Sequence, residues 1–295
     1  MVEFYDPITK NIITYHIDSK LKKKWDLIRD GKLAELDEDR VYLVDGRERT
    51  GKSVWTLQQA KYIDPTFDID RVCFTPDEFL YAIRHAPKGS VVVFDEAFRG
   101  LSSKASRSKV NKAIVQALME VGQRNLIIFI VLPTIFLLEL YAAALRSEAL
   151  FHIYKLKKRS ASGKRLRAFR IYNYKKKIRL YLIGKTKGFS YSQPKTKSKG
   201  RFFNYYPINE KAYRSKKDKS FVKQDQYTKD EDKYIEMYYK TVYCLRNELK
   251  LSEKAASELL NSYNLTVSAS NVGEICRKIS EKCVKPPNTQ YPYIL

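Results

Sequence analysis

The sequence predicts an α/β protein: a parallel β-sheet with helices on both faces, a basic β-extension, and a small all-α domain at the carboxyl end. Three observations point there. Between residues 38 and 156, short unbroken apolar runs alternate with helical patterns, as strands buried on both faces require. The first of these runs leads directly into a glycine-lysine loop and a helix. Beyond Lys155 the composition turns strongly basic, and from Asp230 it turns to mixed-charge helical sequence.

Taken in order, residues 1–37 read as a hairpin and a helix. The hairpin strands fall at roughly Glu3–Asp6 and Ile12–His16, turning at Pro7-Ile-Thr-Lys-Asn, with the helix near Leu21–Asp30. The core, 38–156, has strands expected at 41–45, 71–75, 91–95, 126–132 and 149–156. Its helices are expected at 53–62, 76–85, 109–123 and 135–146. Residues 157–184 alternate basic residues with Tyr, Leu and Ile around Ser160-Ala-Ser-Gly163 and read as a β-hairpin. Residues 184–229, with three glycines and two prolines, read as irregular and partly mobile, so 157–228 forms a basic β-hairpin and linker region.

Residues 229–295 read as three helices: Asp230–Leu249, Ser252–Tyr263 with Ala256 and Leu259 on its apolar face, and Ser268–Lys282 with Val272, Ile275 and Ile279 inward. Ser268 is the expected N-cap. The short Asn264-Leu-Thr-Val turn makes the last pair a helix-turn-helix candidate. Its last helix carries Arg277, Lys278 and Lys282 but also Glu274 and Glu281, so a protein-docking bundle is the competing expectation.

The chemistry is carried by two motifs. Val41-Tyr-Leu-Val-Asp45 runs into Gly46-Arg47-Glu48-Arg49-Thr50-Gly51-Lys52-Ser53-Val54, the G-x-x-x-x-G-K-S pattern of a phosphate-binding P-loop. Glycines let backbone N–H groups curl around phosphates, Lys52 reaches the β/γ oxygens, and the Ser53 hydroxyl ligates Mg²⁺. The helix that follows adds its positive N-terminal end. Arg49 stands where many such loops carry another glycine; a left-handed backbone there would strain it by ~1 kcal/mol or more. Further on, Ser90-Val-Val-Val-Phe-Asp95-Glu96 ends an apolar run in two acids. That is the form of a Walker B strand: Asp95 would hold Mg²⁺ through water and Glu96 would polarise the attacking water. The strand is expected beside the one that feeds the loop.

The net charge of +23 is concentrated. From Lys155 to Lys219 there are 23 Lys or Arg and two acids, a net of +21, and residues 155–209 hold no acid. Ten aromatics from Phe169 to Tyr206 are interleaved with it. One-sided charge with stackable rings suits a polyanion, and nucleic acid is the default partner; a solubilising or anionic-lipid surface is the alternative.

Other classes are disfavoured. Four cysteines without a C-x-x-C pair or a histidine at ligand spacing read as reduced thiols in a cytoplasmic protein, with no zinc site. The first residues do not form a signal peptide. Leu126–Leu145 is long enough to span a bilayer and holds one charge, Glu139, but Pro133-Thr134 divides it into a buried strand and a helix.

Gly46–Ser53, Val91–Glu96, Gln123-Arg124-Asn125 and the sensor strand Ile127–Thr134 together resemble the FtsK/HerA group of additional-strand P-loop ATPases, and within it the archaeal, viral and Zot-like members. The resemblance covers about residues 38–156. Those families commonly end the sensor strand in Thr-Gln, where this chain has Leu132-Pro133-Thr134. It implies an ATPase using Mg²⁺, with Lys52, Ser53, Asp95 and Glu96 in their usual roles and nucleotide bound between subunits of a ring. Arg124 is then the candidate cation reaching a neighbour's γ-phosphate, with Arg99, Arg107 and Arg146 also considered. A DNA-stimulated motor that moves or packages DNA for a mobile element or virus is the leading expectation. An ATP-controlled DNA-binding regulator or replication initiator is the first alternative, and a membrane-associated Zot-like assembly protein the second.

Overall fold

The structure is a computed structural model. It describes residues 1–31, 35, 37–95, 104–159, 163, 165–263, 265 and 267–283; within helices it describes only the backbone at 104–109, 123, 221–235, 278 and 281–283. The chain divides into two compact units, Met1–Ser220 and Phe221–Leu295.

The first unit is built on one seven-stranded sheet. Its strands are β3 (Arg40–Asp45), β4 (Val72–Cys73), β5 (Val91–Phe94), β6 (Ile127–Val131), β7 (Ala149–Arg159), β8 (Arg165–Tyr172) and β9 (Lys199–Phe202), in the order β4-β5-β6-β3-β7-β8-β9. β4 to β7 are parallel, and β8 and β9 continue the sheet antiparallel as the basic extension. Every residue of β5 and β6 is buried, so both strands are apolar throughout rather than alternating.

The order corrects one expectation. β5 does not lie beside β3, because β6 is inserted between them and pairs with both. The strand between the two motifs in sequence, β4, is instead at the sheet edge, and only Val72–Cys73 of the expected 71–75 pairs.

Helix α2 (Lys52–Ile63) follows β3 and is buried from Val54 to Ile63. Its outer face is covered by the N-terminal hairpin, β1 (Val2–Asp6) and β2 (Asn11–Tyr15), and by α1 (Ser19–Arg29). The contacts are specific. Trp25 Nε1 donates to Gln59 Oε1 at 2.8 Å, and Tyr15 Oη donates to the Gln58 carbonyl at 2.6 Å. Lys61 Nζ meets Asp6 Oδ1 at 2.8 Å with both side chains 1% exposed. That ammonium also donates to the Pro65 and Phe67 carbonyls, as a buried charge requires.

On the other face, α3 (Pro76–His85) is capped by Thr75, whose hydroxyl accepts from Glu78 N. It packs with α4 (Lys104–Glu120). The expected helix at 135–146 is not a continuous α-helix. A 3₁₀ turn at Ile135–Leu137 is followed by a π turn at Tyr141–Arg146. Asn111 holds the break open: its amide donates to Leu137 O and accepts from Glu139 N, both at 3.1 Å.

The basic region is more ordered than its composition suggests. Residues expected in a β-hairpin form α5 (Tyr174–Thr186), capped by Asn173, with Lys177, Leu180, Tyr181 and Gly184 buried at helical spacing. Beyond it come β9 and the start of α6 (Glu210–Asn247), where an irregular linker was expected. Asn209 Oδ1 accepts from Ala212 N and so caps α6.

In the second unit, α6 is followed by α7 (Glu253–Ser262) and α8 (Ala269–Cys283). Val242, Ala256, Leu260, Val267, Val272 and Ile275 form its core. Leu260, not the expected Leu259, points inward, and Leu259 is 39% exposed. Ser268 Oγ accepts from Asn271 N at the start of α8.

Candidate active site

The carboxyl ends of β3, β5 and β6 form the site. The glycines of the loop after β3 take conformations that side chains rarely adopt: φ is +138° at Gly46 and +97° at Gly51. A Cβ on Gly46 would overlap the Ile153 carbonyl oxygen of β7, and one on Gly51 would stand 2.8 Å from Arg167 Nη1. The left-handed conformation considered for Arg49 is the one it adopts, at φ 57°. Arg47, Glu48 and Arg49 are exposed at the loop tip, whereas Thr50 is buried and donates to Arg47 O at 2.7 Å.

Gly51 is the N-cap of α2 and, having no side chain, gives that end no cap of its own. The helix therefore presents its first N–H groups at the loop, as an anion site requires. Lys52 Nζ donates to the Gly46 and Arg47 carbonyls at 2.8 and 3.2 Å, folding back across the loop. Ser53 is half-buried on the first turn of α2 and Val54 is buried. The two glycines, the helix end at Gly51 and the lysine form a positively charged backbone cradle suited to phosphate oxygens, so the residues present fit a nucleotide.

Asp95 lies just past β5, 1% exposed, with its backbone N–H bonded to Cys73 O at 2.8 Å. A buried carboxylate at this end of the sheet, with Ser53 on α2, is a donor set suited to Mg²⁺. Glu96 and Arg99 fall outside the described residues, and so does the Arg107 side chain. Asp95 has a partner that the sequence did not reveal: Tyr213, near the start of α6, donates its hydroxyl to Asp95 Oδ2. The Tyr213 ring packs against Phe74 and Tyr206. Lys216, one turn on, donates to the Ile69 and Val72 carbonyls at 3.0 and 2.7 Å, fixing this helix end against β4.

A second buried network stands at the root of the loop. Asp45, the last residue of β3, is fully buried. Its Oδ1 pairs with His152 Nδ1 at 2.8 Å, while Oδ2 accepts from Ile135 N at 3.0 Å and from the Tyr191 hydroxyl. That hydroxyl also meets Thr134 Oγ1 at 2.8 Å. Gly46 N donates to Pro133 O at 3.4 Å. The Pro133–Ile135 segment that ends the sensor strand is thus stitched to Asp45 and Gly46. Burial, then the Asp45 charge, raises the Tyr191 phenol well above its ordinary range, so it stays a donor.

The two described candidate arginines lie at the other end of the sheet. Arg124 precedes β6 and donates from Nη1 to Ala86 O at 2.6 Å. Arg146 precedes β7, is ion-paired with Asp39, and donates to Leu118 O at 3.2 Å. Both sit at the amino edge of parallel strands whose carboxyl edge holds the loop. Neither therefore reaches this chain's own nucleotide site. Among the described residues, a cation that does stand beside the loop is Arg167 of β8, whose Nη1 also donates to Asn204 Oδ1 at 2.6 Å.

The basic surface is narrower than the composition implies. Lys155, Lys157, Lys158, Arg159, Arg165, Arg170, Lys175 and Arg179 are exposed. Lys177 is fully buried, donating to the Ala144 and Ser147 carbonyls and to Ser147 Oγ. Of the aromatics expected to stack bases, Phe169, Tyr172, Tyr181 and Phe202 are buried in the core. Tyr174, Phe189, Phe203 and Tyr205 are exposed. Periodicity does not separate the two groups: Phe169 and Tyr172 lie on opposite faces of β8 and are both buried, and Tyr174 shares the helical phase of Tyr181 on α5 yet is exposed at the helix start. Among the described residues, no helix is long and apolar enough to cross a membrane; Leu126–Leu145 is a buried strand and two short turns.

No protein-family model and no curated protein matches the chain. Solved structures similar to it include the N-terminal domain of zonular occludens toxin from Neisseria meningitidis. That match is at 15% identity and TM-score 0.28, over 46% of this chain and 84% of the other. The ATPase DotB of Legionella pneumophila matches at 12% and 0.33, over 54% of this chain and 52% of DotB. The flagellar accessory protein FlaH of Methanocaldococcus jannaschii matches at 14% and 0.28, over 46% and 78%. The strand order, the left-handed glycines and the helix end at Gly51 give the core, on this chain's own geometry, the fold of an additional-strand P-loop protein.

Proposed function

We propose that the chain hydrolyses ATP and uses the cycle to move or package DNA, working as a ring of identical subunits. The observation that carries the ATPase reading is the convergence of Gly46, Gly51, Lys52 and Asp95 at one edge of a β4-β5-β6-β3-β7 sheet. Backbone N–H groups of the loop and the N-terminal end of α2 bind the phosphates, and Lys52 exchanges its loop carbonyls for phosphate oxygens. Ser53 and Asp95 would hold Mg²⁺, which offsets charge on the phosphates. Glu96 orients and polarises the attacking water. Arg124 keeps a role only toward a neighbouring subunit's nucleotide.

The DNA reading rests on exposed charge. β3 pairs with β7 only as far as His152, and β7 runs on to Arg159. The β7–β8 hairpin therefore extends past the loop edge of the sheet carrying Lys155, Lys157, Lys158, Arg159 and Arg165. Cations on a projecting ribbon suit a phosphate backbone. A regulator that reads a sequence through α7 and α8 is the second reading. It is favoured by the close approach of those helices at Gly273, where a Cβ would stand 2.6 Å from Glu253 Oε1.

Both readings predict duplex binding that weakens as log K against log salt with a slope of about −0.9 per phosphate contact. Lys157→Glu with Lys158→Glu and Lys175→Glu should flatten that slope. Duplex DNA should also raise the ATPase rate of the wild type. Unchanged affinity and slope in the charge-reversed chain would remove DNA as the partner of this surface. A sequence-specific footprint without movement along DNA would select the regulator.

A further inference from the structure

Tyr191 belongs to the basic region by sequence and to the nucleotide site by contact. It lies between α5 and β9, on a segment whose Lys187, Lys195 and Lys197 are exposed and which is flanked by the exposed Lys185 of α5 and Lys199 of β9. Nearby, the segment is pinned to the sheet: Thr196 Oγ1 donates to Ile171 O at 2.8 Å, and Ile171 N donates to Ser198 O at 2.9 Å. Between the lysines, the Tyr191 ring turns inward, packing on His152 at 4.4 Å and on Phe136 at 5.3 Å between ring centroids. Its hydroxyl then makes three contacts, with Asp45, Thr134 Oγ1 and Ile135 N, the last at 3.2 Å.

These contacts converge on two elements that touch bound nucleotide in a P-loop core: the first glycine of the loop, next to Asp45, and the end of the sensor strand at Thr134. A core tyrosine needs one hydrogen-bond partner to satisfy its hydroxyl. This one bridges both elements, and the segment that delivers it otherwise presents cations to solvent. A shift of that segment by a few tenths of an ångström necessarily strains or releases the Thr134 hydroxyl and the Asp45 carboxylate together, because buried polar networks have few alternative arrangements.

We propose that Tyr191 is a positioning residue: it sets Thr134 and the root of the phosphate loop, and a nucleic-acid backbone held by the flanking lysines acts on the nucleotide site through its hydroxyl. This rests on the nucleotide- and DNA-binding reading above. Coupling of this kind is reciprocal, so DNA must change nucleotide affinity by the same factor by which nucleotide changes DNA affinity.

The test uses the full chain, a fluorescent non-hydrolysable ATP analogue and a short DNA duplex. Each affinity is measured with and without the other ligand. In the wild type, each ligand should shift the other's affinity by about 5-fold or more, within the usual range of coupling. Tyr191→Phe should bind both ligands and show a shift near 1-fold. A loss of stability alone would not move this ratio, and a melting curve of the variant records any such loss. Lys195→Ala with Lys197→Ala, on the exposed face, should also reduce the shift while leaving analogue affinity in the absence of DNA unchanged. A full shift in Tyr191→Phe, or wild-type binding of both ligands without mutual effect, overturns the inference and leaves the ATPase reading standing. A wild type that binds no nucleotide overturns that reading, and the inference with it.

Discussion

Gly46 and Gly51 bracket the phosphate loop, and the structure assigns them different costs of substitution. Alanine at either position meets a positive φ, which strains an L-residue by about 1–3 kcal/mol. At Gly51 the new Cβ faces the Arg167 side chain, with Nη1 at 2.8 Å and Cδ at 3.1 Å. A long side chain can swing away, so the cost stays near the backbone term. At Gly46 the Cβ would overlap the Ile153 carbonyl and lie 3.1 and 3.3 Å from that residue's carbonyl carbon and nitrogen. Those atoms belong to β7, one residue past its last pairing with β3 and still paired with Phe169 of β8, so they cannot move alone. Overpacking against backbone adds about 1–3 kcal/mol, for a total of roughly 2–6 kcal/mol. Chemical denaturation should therefore show Gly46→Ala losing at least about twice the stability that Gly51→Ala loses. Both variants should bind an ATP analogue more weakly. Equal stability of Gly46→Ala and wild type would refute the close approach of the loop to β7, and with it the reason this position is glycine.

Further outcomes follow from the buried polar groups. Burial pushes the Lys177 ammonium down to about 7, against the pull of Glu148, from 10.5 in an unfolded chain. Between pH 7 and 10.5 the unfolded chain holds a proton that the folded chain does not, so stability should rise with pH, by about 2–3 kcal/mol from pH 7 to 9. Melting curves of Lys177→Met should lack that rise, and an identical pH slope in both would contradict it. Tyr213→Phe removes a donor from the buried Asp95 carboxylate and should cost about 1.5–3 kcal/mol of stability by denaturant titration; no loss would mean the contact contributes nothing.

The elements that carry the motifs were legible because their residues face one kind of surroundings. Expected strands 41–45 and 91–95 appear as Arg40–Asp45 and Val91–Phe94, and helix 76–85 appears as Pro76–His85. Continuous apolar runs and a threonine cap leave little choice there. α5 was hidden because Ile178, Leu182 and Ile183 fill most of the gaps between Lys177, Leu180, Tyr181 and Gly184 with aliphatic side chains and blur the period, and one of the buried positions is itself a lysine. The insertion of β6 between β3 and β5 is a matter of strand order in space, which no local pattern records. The same holds for the site's unexpected members. Tyr213 meets Asp95 across 118 positions and Tyr191 meets Asp45 across 146. The chemistry of the loop was legible in its residue types, but the groups that surround it come from a region whose composition announced only charge.

The central claim is that this edge of the sheet binds ATP and hydrolyses it. Single-turnover hydrolysis by Glu96→Gln, with bound ATP measured in the same sample, tests it most directly. Removing the carboxylate removes water activation and leaves Lys52, the glycine loop and the α2 end in place. The variant should hold ATP as tightly as wild type and turn it over about 10²–10⁴-fold more slowly, the usual worth of a general base. Wild-type hydrolysis in Glu96→Gln, or a wild type that binds ATP no better than Lys52→Ala, would contradict the account.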